Sequence, residues 1–260
     1  DVINRYDLGA RKSLGQHFLL DLNLCARIAR TAGKLNDTNI IEIGPGPGGL
    51  TRALLDAGAA RVVAVEHAHR CVAGLAELQD GAPDRLEIIE ADALETDVTA
   101  LVLAPRRVVA NLPYNIATPL LLGWLRRITD FEGLTLMFQK EVAERLAAKP
   151  RGKSYGRLSI ITQWLAEVRF QFNISKEAFT PPPKIASSVV TLTPRPTPLA
   201  PAEWESLERV TAQAFGQRRK MLRSSLKSLN LDFAALGIEP TARAEELSVE
   251  QFCSIARTTG

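Results

Sequence analysis

The sequence predicts an α/β fold with a doubly wound parallel sheet and a small all-helical domain after it. Three observations carry this. Short β-branched runs alternate with segments of helical spacing up to about residue 140. A glycine-rich turn follows the first of those runs. Four prolines crowd residues 194–201, and the strand signal fades beyond them. With 260 residues and 46% hydrophobic content, the chain suits one large domain, or one domain plus a small appendage.

Leu22–Ala32 has apolar residues at helical spacing with Gly33 just behind, a C-cap signal. Ile40–Ile43 is a β-branched strand, and Leu50–Leu55 reads as the helix after the glycine turn. Arg61–Glu66 and Leu86–Glu90 are further strands, the second followed by Asp92. Val108–Ala110 leads into Asn111–Tyr114; Leu120–Leu125 reads as a helix, and Leu134–Phe138 and Ser188–Leu192 as strands. Past the prolines, Phe215, Leu222, Leu226 and Leu229 recur at helical spacing. The division expected is a first domain over 1–195, with a helical segment at its start, and a helical domain over 196–260.

Composition excludes several classes. Three cysteines stand far apart without a CxxC, which argues for a reducing compartment and against structural zinc. No apolar run reaches the length of a spanning helix. The first eleven residues are polar and charged, unlike a secretory signal. A cytoplasmic, monomeric protein without a metal is expected.

The formal charge of +3 conceals a partition. Arg145, Lys149, Arg151, Lys153 and Arg157 form one run without an acid, and Arg218, Arg219, Lys220, Arg223 and Lys227 form another. Setting these ten aside leaves 22 bases against 29 acids, a net of −7. An acidic body with two basic patches points to a nucleic-acid partner. Arg219, Arg223 and Lys227, spaced by four, are expected on one helical ridge opposite Leu222, Leu226 and Leu229. Glycines within the first run predict a mobile loop at the mouth of a substrate crevice.

Glu42-Ile-Gly-Pro-Gly-Pro-Gly-Gly49 fits both the dinucleotide pattern GxGxxG and the GxGxG of S-adenosylmethionine sites. Glycines let a cofactor approach the backbone. A tight strand-to-helix turn without a ligand would use the same residues. Two details favour the methyl donor. Glu42 precedes the first glycine by two, and Pro45 and Pro47 remove amide donors that a pyrophosphate needs. Glu66, closing the next strand, is placed to accept both ribose hydroxyls of either cofactor. Asp92 suits the adenine amino group.

Asn111-Leu-Pro-Tyr114 is more specific. It follows the fourth strand, where an open α/β sheet places its substrate crevice. It resembles the signature of methyltransferases acting on planar amino nitrogens. An exocyclic amine gives its lone pair to its ring and is a poor nucleophile. The Asn111 amide oxygen and the Leu112 carbonyl can each accept one N–H, drawing the nitrogen toward tetrahedral geometry. Pro113 stiffens the turn, and Tyr114 offers a flat face for a base. A base in a helix reaches such a crevice only by flipping out.

Seven segments in order resemble the KsgA/RsmA family of small-subunit ribosomal RNA adenine dimethyltransferases. They are Leu14–Leu19, Glu42–Gly46, Asn111–Ile116, Gln139–Val142, Tyr155–Ser159, Phe179–Lys184 and Phe215–Lys220. The resemblance implies a Rossmann-like class I methyltransferase domain that uses S-adenosylmethionine and releases S-adenosylhomocysteine. It implies dimethylation of two adjacent adenines in the 3′-terminal hairpin loop of small-subunit rRNA, on an immature 30S-type particle during ribosome biogenesis. Carried over, the cofactor contacts are His17, Leu19, Gly44, Glu66, Asp92 and Asn111. The catalytic segment is Asn111, Leu112, Pro113 and Tyr114, with Phe179 as a second aromatic wall. The ten bases become RNA contacts. One departure is His17, where the family usually has Asn. His67 and His69 read as a solvated turn, not metal ligands. A relative that methylates large-subunit rRNA is the nearest alternative, disfavoured by the segments at Phe179 and Phe215. A non-catalytic binding factor is disfavoured by the intact Asn111–Tyr114 and Glu66, and a dehydrogenase by the lack of a hydride-transfer acid or base.

Overall fold

The computed structural model describes residues 17–259. Leu14–Gln16, the start of the first family-like segment, lie outside them. The chain divides into two compact units, residues 1–143 with 169–194, and residues 144–168 with 195–260.

The first unit is the doubly wound sheet. Its strands are β2 (Asn39–Ile43), β3 (Arg61–Glu66), β4 (Leu86–Glu90), β5 (Arg106–Asn111), β6 (Gly133–Gln139), β7 (Ala166–Ile174) and β9 (Ser187–Pro194), in the order β4-β3-β2-β5-β6-β9-β7. β2 to β6 pair in parallel, and β9 runs antiparallel to β6. Two further short strands, β1 (Phe18–Leu19) and β8 (Phe179–Thr180), pair antiparallel in a separate ladder. Parallel strands are covered on both faces, which is why Ile40, Ile41, Val62–Val65 and Val108–Ala110 are apolar without alternation and almost fully buried.

Helices of this unit are α1 (Leu22–Thr31), α2 (Gly49–Asp56), α3 (His69–Asp80) and α4 (Tyr114–Leu125). Asp21 caps α1 by accepting from Asn23 and Leu24 N–H at 2.9 and 3.1 Å. Cys25, Ile28 and Ala29 turn its apolar stripe inward, and Gly33 follows with φ +88°, the left-handed residue expected behind the helix. The strand order reverses between β3 and β5 around β2, so the crevice belongs at the carboxyl ends of β2 and β5.

The second unit holds α6 (Arg157–Leu165), α7 (Trp204–Gly216), the short α8 (Leu222–Ser225) and α9 (Val249–Thr258). The unit boundary also cuts α5 (Lys140–Ala147), whose last residues join this unit, and β7.

Three expectations are corrected here. The 1–195 boundary is met near the prolines, but residues 144–168 leave the first unit. The reason is that α6 packs against α7 and α9, and the chain at Arg195 and Leu199 bonds back to Leu165 and Trp164. Secondly, the first basic run is not a free loop. Ser159 Oγ donates to the Arg145 carbonyl at 2.5 Å, Gln163 Nε2 donates to the Leu146 and Ala148 carbonyls, and Tyr155 is wholly buried, edge-on to Phe215. Thirdly, Arg219, Arg223 and Lys227 share no continuous helix. α7 ends at Gly216, Arg219 lies in a turn, and Lys227 begins a 3₁₀ turn. The Leu222 and Arg223 amides donate to the Ala242 and Pro240 carbonyls, where one continuous helix would send them back along the chain. Leu222 and Leu226 are buried as expected, Leu229 only partly.

Candidate active site

The cleft at the switch point is lined by three segments of the first unit: His17–Leu19, Glu42–Leu50 with Glu66, and Asn111–Tyr114. Gly44, Gly46 and Gly48 all have positive φ, at +65°, +54° and +85°. A Cβ on Gly46 would stand 3.0 Å from the Phe18 ring, and one on Gly44 3.6 Å from Pro113. The loop thus brings bare backbone against both neighbouring segments.

Glu66 is 6% exposed. Its Oε2 accepts from Gly46 N–H at 3.1 Å and its Oε1 from Ala68 N–H at 2.8 Å. The strand-end carboxylate therefore braces the glycine loop from within the cleft. Burial raises its pKa, and the amide donors hold it back.

Glu42 lies deeper, 1% exposed, and its Oε2 has no hydrogen-bond partner among the described residues. Burial pushes the carboxyl up to about 8; the nearby Thr51 hydroxyl opposes this and Glu66 adds to it. A buried carboxylate oxygen without a donor, in the wall of a cleft, suits a ligand carrying positive charge. Phosphate groups would meet two acids and a loop lacking the amides of Pro45 and Pro47. The donor set fits S-adenosylmethionine, with its sulfonium and ammonium groups, and does not fit a dinucleotide.

Asn111 ends β5. Its Nδ2 donates to the His17 carbonyl at 3.2 Å, which leaves the side-chain oxygen as the acceptor. Pro113 precedes the first turn of α4, and the Ile116 and Ala117 amides close that turn on the Pro113 carbonyl, not on Leu112. Tyr114 opens α4. Its hydroxyl pairs with Ser187 Oγ at 2.5 Å, and burial holds the phenol above its ordinary range. The His17 imidazole stacks on the Tyr114 ring at 5.7 Å and 29°, while its Nδ1 donates to the Pro181 carbonyl at 2.8 Å. His17 thus grips the catalytic segment twice, by its ring and by its carbonyl.

One predicted residue lies elsewhere. Phe179 is not an aromatic wall: it is 1% exposed, pairs with Leu19 across the β1–β8 ladder and packs in the core beside Cys25 and Ile28. Asp92 lies past the end of β4, with Oδ1 accepting from Leu94 N–H at 2.9 Å. Leu19 lines the cleft as expected. Sequence reading missed Ser187, which no spacing ties to Tyr114, and Phe18, whose contact with Gly46 is tertiary. It singled out Glu42 for its place before the glycines but not as a site residue.

Nine of the ten run bases, Arg145, Lys149, Arg151, Lys153, Arg157, Arg219, Lys220, Arg223 and Lys227, are exposed; Arg218 is partly covered. The second unit carries 14 bases against ten acids, the remainder of the chain 18 against 19.

A seven-stranded sheet with its antiparallel strand beside β6, a glycine loop and an Asn-Leu-Pro-Tyr turn at one crevice define a class I, S-adenosylmethionine-dependent methyltransferase. The family model for ribosomal RNA adenine dimethylase matches residues 8–259. The chain belongs to that family. It is 64% identical to ribosomal RNA small subunit methyltransferase A of Paramagnetospirillum magneticum, over 99% of this chain and 92% of the relative. It is 62% identical to the protein of that name from Rhodospirillum rubrum, over 99% and 90%. Among solved structures, a dimethyladenosine transferase from Plasmodium falciparum superposes with TM-score 0.80 at 25% identity, covering 92% of this chain and 96% of the other. The 23S rRNA methyltransferase ErmE gives 0.71 at 28%, covering 93% and 99%.

Proposed function

We propose that this chain dimethylates N6 of two adjacent adenines in the 3′-terminal hairpin loop of small-subunit rRNA, acting as a monomer on an immature 30S-type particle in the cytoplasm. The observation that carries this reading is the Asn111 amide. Its nitrogen donates to the His17 carbonyl, which assigns the other side-chain atom, Oδ1, as the acceptor. S-adenosylmethionine, when bound, supplies the methyl group from its sulfonium.

The chain's own residues do the rest. Asn111 Oδ1 and the Leu112 carbonyl accept the two N–H bonds of the target amine, freeing its lone pair for attack. Pro113 fixes the turn that aims them. Tyr114, pinned by Ser187 and covered on one face by His17, presents its other face to the flipped base. No side chain has to act as a general base, since the methylated cationic amine loses its proton to water. Glu66 and Glu42 supply the acidic wall for a cationic cofactor, whose positive charge would favour release of the proton that burial holds on Glu42. The exposed bases of the second unit hold the RNA backbone.

Methylation of purified immature small subunits with labelled donor, followed by mapping of modified nucleotides, tests the substrate. Label confined to two adjacent loop adenines is expected, and label in large-subunit rRNA alone would reject the reading. Asn111→Ala should lower turnover by roughly 10²–10³-fold, with donor binding largely retained in calorimetry. Unchanged turnover would remove Asn111 from the chemistry.

A further inference from the structure

The two basic runs are far apart in sequence yet belong to one unit, and one segment touches both. Pro240–Glu246 crosses the second run by its backbone: Leu222 N–H donates to the Ala242 carbonyl at 2.8 Å, Arg223 N–H to Pro240 at 3.1 Å, and Met221 bridges Arg243. The same segment reaches the first run through Glu245 and Glu246. Arg151 N–H donates to the Glu245 carbonyl at 2.6 Å, and the Arg151 guanidinium lies 3.8 Å from Glu246.

Arg218 closes the arrangement. Its Nε donates to Glu245 Oε2 at 2.7 Å and its terminal nitrogen to the Lys153 carbonyl at 2.8 Å. A guanidinium makes two such bonds in divergent directions; an ammonium does not reproduce that fork. The loop so held is not relaxed. Arg151 sits at φ +70°, a left-handed conformation that strains a non-glycine residue. A Cβ on Gly152 would stand 2.8 Å from the Lys149 carbonyl.

We propose that Glu245 and Arg218 are positioning residues, a brace that fixes the 149–155 loop and the 217–223 turn as one RNA-binding face. Arg218 is then a strut of that face and not one of its phosphate contacts. This rests on the RNA reading above. It makes a prediction opposite in sign to simple electrostatics. Glu245→Gln removes a negative charge from a basic unit, so the field alone would tighten RNA binding. The brace requires it to weaken binding.

The test measures affinity for a synthetic RNA hairpin with two adjacent loop adenines, together with segment-resolved amide exchange. Glu245→Gln is expected to bind several-fold more weakly, with faster exchange confined to 149–155 and unaltered S-adenosylmethionine binding. Affinity equal to or tighter than wild type would overturn the brace. Arg218→Lys keeps the charge and guards against a folding failure in the first variant. It too must weaken binding, and wild-type affinity there would overturn the proposal. Arg219→Glu with Arg223→Glu and Lys227→Glu serves as the control. If that reversal leaves affinity intact, the RNA reading of the face fails, independently of the brace.

Discussion

Glu42 shows how one buried group ties stability to pH. Burial raises its carboxyl from 4.5 to about 8, so between those values the folded protein holds a proton that the unfolded chain has released. Its favourable contribution is complete below the unfolded value and is lost as pH rises through the folded one. In the ligand-free protein, Glu42→Gln should therefore flatten the fall of Tm across that window and raise Tm at its alkaline end. Thermal unfolding at a series of pH values checks this; parallel profiles for the two proteins would show that Glu42 is not the titrating group. Phe179 makes the complementary case. A wall residue could be truncated with little loss of stability, whereas a ring in this core should cost about 3–5 kcal/mol as Phe179→Ala. Denaturant unfolding separates the two. The sequence located Asn111, Glu66 and the glycines because local backbone chemistry demands those residue types. It misplaced Phe179 because an aromatic beside a proline run reads the same whether it points to core or crevice.

At the scale of elements, what was legible followed from local rules. Parallel strands announced themselves as unbroken β-branched runs, and α1 by its spacing and Gly33. What failed was set by distant partners. The stretch 217–229 has helical periodicity, but its amides at Leu222 and Arg223 are taken by Ala242 and Pro240, respectively. β7 was missed: AEVRFQFNI alternates, yet it lies at the sheet edge with mostly exposed or half-exposed residues, where alternation gives little contrast. The glycine loop and α2 offer an element-level test. Gly49, the first residue of α2, lies so close to β1 that a Cβ would stand 2.8 Å from the Leu19 carbonyl. Backbone cannot yield as a side-chain tip can. Gly49→Ala should cost roughly 1–3 kcal/mol and weaken donor binding by displacing β1 from the cleft. A fully stable variant with normal donor affinity would show that β1 and α2 are not coupled there.

For the whole molecule, charge and chemistry are divided between units. Every residue lining the cleft comes from the first unit, and all ten run bases lie in the second. The net charge of the chain concealed this, and the grouping of bases in sequence revealed it. Only the membership of residues 144–168 in the second unit was invisible, because it depends on α6 meeting α7 and α9. The division implies that RNA affinity and donor affinity respond to different substitutions. Reversing Lys149, Lys153 and Arg157 to Glu removes up to three phosphate contacts. The slope of log affinity against log salt should then fall in magnitude by roughly 2–3, as each contact releases most of one counterion. Donor binding should not change, since none of the three touches the cleft. Filter binding of rRNA across a salt series, beside calorimetry with S-adenosylmethionine, measures both. An unchanged salt slope would remove the first run from the RNA footprint, and a parallel loss of donor affinity would mean that the two units do not act separately.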